Sequence, residues 1–367
     1  MKIGIDARLI QETGVGRYIR NLLTNLSTID KKNEYVLFVR DANDLSNLKL
    51  THNNWKVVEA DIRWHTIAEQ LSYPKILEEE NLDLVHFPYF SVPVKYSRPF
   101  VVTIHDLILH HFSTGEASTL PSLFYHGKMA GYKYIIKQAA QRAEKIIAVS
   151  EATKNEIVDH LDVLESKITV IHEGYDNGID GKKPSFSLPD KYFLHVGNVY
   201  PHKNIAVLLQ AFKKVSDLKA SLVFVSHEDF FLKKLKQKIS QEGLSERIVF
   251  LSSVSDEHLG FLYKHALAVI IPSFMEGFGL PAVEAMANDC LVVASDIPSL
   301  KEVCGANALY FDPKNEDVLA KHLHDVVELP KDTYQSLRSQ GREYIKKYSW
   351  KDMAERTKRI YESCARI

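Results

Sequence analysis

Two glutamates eight positions apart, Glu276 and Glu284, flank the densest cluster of chemistry-bearing residues in the sequence. The segment runs Pro272-Ser273-Phe274-Met275-Glu276-Gly277-Phe278-Gly279-Leu280-Pro281-Ala282-Val283-Glu284 and follows the apolar run Leu267–Ile271. Gly277 and Gly279 suit a tight loop with exposed backbone N–H groups, and Pro281 suits the first turn of a helix. A glycine loop feeding a helix N-terminus is an anion site, and carboxylates beside it accept hydrogen bonds from sugar hydroxyls. Two glutamates alone would read as a helix cap and a surface carboxylate. Strand, glycines, proline and both carboxylates in this order favour a binding site for one molecule.

Three further segments carry chemistry. Val196-Gly197-Asn198-Val199-Tyr200-Pro201-His202-Lys203-Asn204 places a lysine after a strand and turn, just before a helix. There it can neutralise a diphosphate, with Asn198 and His202 as neutral donors. Near the N-terminus, Asp6-Ala7-Arg8 leads to Gly14-Val15-Gly16 and a helix expected over Tyr18–Leu26. Gly14 and Gly16 would let the backbone approach a phosphate. A dinucleotide fingerprint would need glycine where Ile19 stands, which disfavours a hydride-transferring enzyme. Finally, His105-Asp106 ends the run Val101–His105. His105 there could bind a hydroxyl or orient an acceptor, with Asp106 orienting it. Taken alone, the same residue reads as a satisfied structural histidine.

The elements that must position these loops are legible as short β-branched runs separated by helix-like stretches. The runs are nearly continuous in apolar character, as in parallel strands covered on both faces. Strand and helix alternate over the whole chain, which is α/β architecture. Apolar periodicity lapses over Asn177–Ser185, so the expected division is residues 1–180, then 181–345, each a doubly wound Rossmann-like domain. The helical pattern over 346–367 could cross back onto the first domain. Ligands of such sheets bind beyond the carboxyl ends of the strands.

Composition narrows the class. The 367 residues hold 46 basic and 47 acidic side chains, too balanced for a strongly basic nucleic-acid binder. Three cysteines, Cys290, Cys304 and Cys364, are too few for a disulfide framework. No apolar run reaches the roughly 18 residues of a membrane span, and Asp6 and Arg8 interrupt any signal-peptide core. The expectation is a cytoplasmic protein of two domains. Residues 1–180 carry 20 basic against 24 acidic side chains, and 181–367 carry 26 against 23. The second half thus weakly favours an anionic ligand. No Asp-x-Asp occurs and the sixteen histidines do not fall at metal-ligand spacing, so no metal is expected.

The segment Glu276–Glu284 resembles the E-x7-E motif of retaining glycosyltransferases of family 4, and the other segments follow in that family's motif order. The resemblance implies the GT-B fold, in which two doubly wound domains face a central cleft. It implies that Glu276 contacts the transferred sugar and Glu284 the nucleotide ribose, with the backbone of Gly277, Phe278, Gly279 and Leu280 holding sugar and diphosphate. Lys203 matches the family's lysine. Asn198 and His202 stand where the family often has arginine, which leaves diphosphate neutralisation to Lys203. Family members often place a histidine near the donor sugar where His105 stands. The Gly14–Gly16 loop is similar to that of the mannosyltransferase branch, which makes GDP-mannose the first donor expected. UDP-linked hexoses or N-acetylhexosamines are the alternatives.

The implied reaction transfers a hexose, with retention and without a cofactor, to a saccharide or lipid-linked acceptor in surface polysaccharide synthesis. Residues 126–145 hold five basic side chains and one acidic one among Tyr132, Tyr134, Ile135 and Ile136. Such a helix could rest on an anionic membrane surface. The rival functions are a sugar-nucleotide epimerase of the same fold and a nucleotide-sugar-binding protein without turnover.

Overall fold

The structure is a computed structural model, and it describes residues 1–46, 48, 50–112, 122–176, 181–252 and 254–364. They divide into two compact units. The first takes those within 1–110, 120–174 and 348–367, the second those within 111–119 and 175–347.

Along the first part of the chain come β1 (Lys2–Asp6), α1 (Gly14–Ile29), β2 (Glu34–Val39), β3 (Trp55–Glu59), α2 (Ile67–Leu71), α3 (Tyr73–Glu79) and β4 (Leu84–Phe87). They are followed by β5 (Phe100–Ile104), α4 (Ile108–His111), α5 (Ser122–Arg142), β6 (Lys145–Ala148), α6 (Glu151–Leu161) and β7 (Ile168–Val170). The seven strands form one sheet in the order β3-β2-β1-β4-β5-β6-β7, parallel throughout. β4 and β5 are buried along their whole length, which is why their sequences do not alternate.

The remaining elements are β8 (Tyr192–Val196), α7 (Ile205–Lys214), β9 (Ser221–Val225), α8 (Phe230–Gln241), β10 (Ile248–Leu251), α9 (Asp256–His265) and β11 (Val269–Ile271). After these come α10 (Leu280–Ala287), β12 (Val292–Ser295), α11 (Pro298–Cys304), β13 (Ala308–Phe311), α12 (Glu316–Glu328), α13 (Lys331–Tyr344) and α14 (Trp350–Cys364). The second sheet is parallel in the order β10-β9-β8-β11-β12-β13. Both sheets therefore reverse strand order once, between β1 and β4 and between β8 and β11. In sheets of this kind the loops leaving the carboxyl ends of such neighbours diverge, and ligands bind between them. α14 packs on α1 within the first unit and contributes buried Trp350, Met353 and Tyr361 to it.

Two expected helices differ in extent. The first begins at Gly14, not Tyr18. Gly14 and Gly16 thus form the first turn of α1 rather than an open loop. Gly16 is there for close approach: a Cβ would lie 2.5 Å from the Ile10 carbonyl oxygen. The basic helix expected over 126–145 is α5, which ends at Arg142, and Lys145 starts β6. Tyr132 and Ile136 are buried, so the apolar side of α5 is spent on the core. Arg142 is tethered to the carbonyls of Val94 and Tyr96, and Lys137 pairs with Asp162. Lys128 and Lys133 remain exposed, with Tyr134 beside them.

Candidate active site

In the second unit, the site grows from the two strands flanking the switch point. After β11 the chain passes Pro272 and buried Ser273, then turns through Gly279, whose φ of +95° favours glycine, into α10. After β8 it passes through a short 3-10 turn, Pro201–Lys203, to Asn204, whose φ of +52° asparagine tolerates. The two loops are bonded directly, since the Phe274 N–H donates to the His202 carbonyl at 2.8 Å. Asn204 Nδ2 donates to the carbonyls of Pro272 at 3.0 Å and Pro313 at 2.7 Å. One buried carboxamide thus joins the loops after β8, β11 and β13.

On that frame Lys203 Nζ donates to both carboxylate oxygens of Glu276, at 2.7 and 2.9 Å. Ser273 Oγ donates to Glu276 Oε1 at 2.6 Å. Burial alone would raise the Glu276 carboxyl, but the Lys203 charge and the hydrogen bonds from Lys203 and Ser273 overcome it and hold the group below its ordinary value. Burial, helped by the Lys203 charge, pushes His202 down to about 4, so its imidazole is neutral at pH 7. Lys203, the residue expected to neutralise a diphosphate, is held in an ion pair. Its charge is already matched by Glu276, because the strand order sets the two loops side by side.

Glu284 is the fifth residue of α10, and its Oε2 accepts from the buried Tyr263 hydroxyl of α9 at 2.8 Å. Gly277, Phe278 and Gly279 are buried, with the Phe278 ring in the core at 3% exposure, so any ligand contact there is through backbone. Leu280 opens α10 and is half-buried. The Asn198 carboxamide oxygen is buried and, among the described residues, finds no hydrogen-bond partner.

In the first unit, His105 follows β5 and is held from four sides. Its Nδ1 lies 3.1 Å from Glu173 Oε1, beyond β7. Its Nε2 donates to the Pro88 carbonyl, beyond β4, at 2.9 Å. The His105 carbonyl accepts from Thr153 Oγ1 of α6, and its ring stands perpendicular to that of Tyr18 on α1, with centroids 5.0 Å apart. Burial would lower the His105 pKa, but the hydrogen bond and charge of Glu173 raise it above the ordinary value. Asp106 does not orient His105 as expected. Its Oδ1 accepts from the Ile108 N–H at 2.9 Å and so caps the start of α4, while Glu173 orients the histidine. The loop after β1 is anchored by Arg8, fully buried between Asp6 at 2.7 Å and Glu69 at 2.8 Å.

Glu173, Asn204, Ser273 and Tyr263 were not among the expected site residues. The available signals were slight: a carboxylate just before Gly174 after an apolar run, and an asparagine opening a helix.

Two family descriptions meet end to end on this sequence. Glycosyltransferase Family 4 matches residues 13–178, and Glycosyl transferases group 1 matches residues 178–344. The chain belongs to the family 4, group 1 glycosyltransferases. This glycosyltransferase is 27% identical to the O-antigen chain mannosyltransferase RfbU of Salmonella typhimurium, over 80% of its own length and 77% of that protein. It is 26% identical to the O-antigen chain mannosyltransferase B of Escherichia coli, over 95% and 96%. Its architecture is GT-B, two parallel-sheet α/β domains. Sucrose-phosphate synthase from Thermosynechococcus elongatus superposes with a TM-score of 0.80 at 17% identity, covering 99% of this chain and 98% of that one. Anabaena HepE in complex with UDP and glucose gives 0.77 at 19% identity, covering 99% and 100%. Among the described residues, no helix is long and apolar enough to cross a membrane.

Proposed function

We propose that this glycosyltransferase moves a hexose, mannose first, from a nucleotide-diphosphate sugar to a saccharide or lipid-linked acceptor in surface polysaccharide synthesis, with retention and without a metal. The observation that carries this reading is the Lys203–Glu276 pair, set by the loops after β8 and β11 in the segment matched by the group 1 transferases. The two O-antigen mannosyltransferases named above support mannose.

A leaving diphosphate must be stabilised as the glycosidic bond breaks. Lys203, the N-terminus of α10 and the backbone around Gly277–Leu280 would do so with groups of the protein itself. Glu276 is ionised and would hold the transferred sugar, while Glu284, fixed by Tyr263, would hold the ribose. A diphosphate arriving at Lys203 competes with Glu276 for the ammonium. Donor binding therefore redistributes the hydrogen bonds of Glu276 toward sugar hydroxyls and Ser273. Asn198 and His202 remain neutral donors to the same ligand, and Gly14 and Gly16 present the first turn of α1 to a substrate. Lys128, Lys133 and Tyr134 form the part of α5 that would meet an anionic membrane carrying a lipid-linked acceptor.

Thermal-shift comparison of GDP and UDP, followed by incubation with the labelled nucleotide sugar and acceptor, tests the reading. Stabilisation by GDP and transfer of mannose with the anomeric configuration kept is the expected result. A shift with UDP alone removes mannose. An altered nucleotide sugar formed without acceptor establishes the epimerase, and binding without any product establishes the non-catalytic binder.

A further inference from the structure

His105 presents two ring nitrogens, and the protein supplies an acceptor to each. Glu173 Oε1 stands 3.1 Å from Nδ1, and the Pro88 carbonyl oxygen stands 2.9 Å from Nε2. A carbonyl cannot donate, so Nε2 carries a proton. A carboxylate facing Nδ1 is satisfied only if that nitrogen also carries one. Glu173 is 4% exposed, and its element follows β7, so the pairing is built by the sheet and not by a mobile surface chain.

We propose that Glu173 is a positioning residue of the transferase: it locks the His105 ring in place with both nitrogens protonated and both N–H groups donated within the protein, so His105 contributes positive charge and never acts as the base that deprotonates the acceptor. This rests on the transferase reading, in which His105 lies in the substrate site. The acceptor proton must then leave to another group, and an anionic phosphate oxygen is the ligand atom that the charge of an imidazolium attracts.

The other groups facing the ring agree with this assignment. Asp106 from the same loop adds negative charge that favours the protonated form. Tyr18 on α1 stands perpendicular to the ring, and its hydroxyl bonds Thr103. Buried His86 on β4 is pushed down to about 3, first by burial and then by the charge of His105 itself. It stays neutral and does not compete for the proton.

Nitrogen-15 NMR of the histidines in the full chain, assigned with His105→Gln, reads the protonation state directly and needs no activity. The wild type is expected to show His105 doubly protonated at pH 7.5. In Glu173→Gln it should be neutral at that pH, its titration lowered by about one pH unit or more. In the same variant kcat should fall at pH 7.5 and recover toward lower pH, with the donor KM unchanged, and Glu173→Asp should restore the wild-type profile. A neutral His105 in the wild type overturns the proposal, as does a Glu173→Gln enzyme whose pH–rate profile matches the wild type. If no donor yields product, the transferase reading fails, while the NMR arm still decides the pairing.

Discussion

Lys203 Nζ sits within 2.9 Å of both oxygens of the Glu276 carboxylate, although 73 residues separate the two in sequence. Their side chains are only 15% and 9% exposed. A pair this enclosed is costly to break from one side. Lys203→Met should therefore destabilise the protein by about 3 kcal/mol and abolish transfer. Adding Glu276→Gln should return much of the stability but none of the activity. Urea unfolding of the two single variants and the double variant checks this, and additive losses would show that the pair is not coupled.

The pH dependence has a definite sign. Glu276 has a lowered folded pKa, so its stabilising contribution is present above its unfolded value of about 4.5 and is lost as pH falls through the folded value. His105 has a raised folded pKa, so its contribution is full below about 6.5 and is lost as pH rises through the folded value. Urea midpoints across pH should show a smaller acid loss in Glu276→Gln, where Asp30 and Glu80 still contribute one, and a smaller loss above neutral pH in His105→Gln.

Tyr263→Phe removes the hydroxyl that fixes Glu284 Oε2 and leaves the ring in the core. The nucleotide should bind about fivefold more weakly, equivalent to about 1 kcal/mol, with kcat little altered. Calorimetric titration with the nucleotide measures this. Unchanged affinity would show that Glu284 needs no such support.

Asn204→Ala deletes two buried hydrogen bonds that join three loops and places alanine at positive φ. A loss of about 2–4 kcal/mol in stability is expected, together with a fall in kcat. Asn204→Gly relieves the backbone strain but not the missing bonds, so it should recover stability only in part.

Flotation with phosphatidylglycerol vesicles at low salt tests the exposed end of α5. The wild type should float and Lys128→Glu with Lys133→Glu should not, each lysine contributing about 1 kcal/mol near the surface. Lys137→Glu should matter less, because Lys137 is already engaged by Asp162. A wild type that stays wholly in solution removes the membrane contact.

What the sequence by itself determined is local. Continuous apolar runs marked the strands, because a strand covered on both faces has no polar side. Gly279 and Pro281 marked the turn into α10, because φ and the missing proline N–H constrain only the residues at that point. Glu276, Lys203 and His105 were legible as candidate site residues because each lies in a segment that follows a strand, and Glu284 because it lies in the helix that such a segment opens. Tertiary structure alone decided their partners. Strand order reverses between β8 and β11, so a lysine and a glutamate far apart in the chain meet and cancel charge. Glu173 reaches His105 across 68 residues for a related reason: β5, β6 and β7 are parallel neighbours, and their carboxyl ends lie along one edge. No periodicity or spacing within a segment encodes which loops share an edge, and so Asp106, adjacent in sequence, was the natural but mistaken partner for His105.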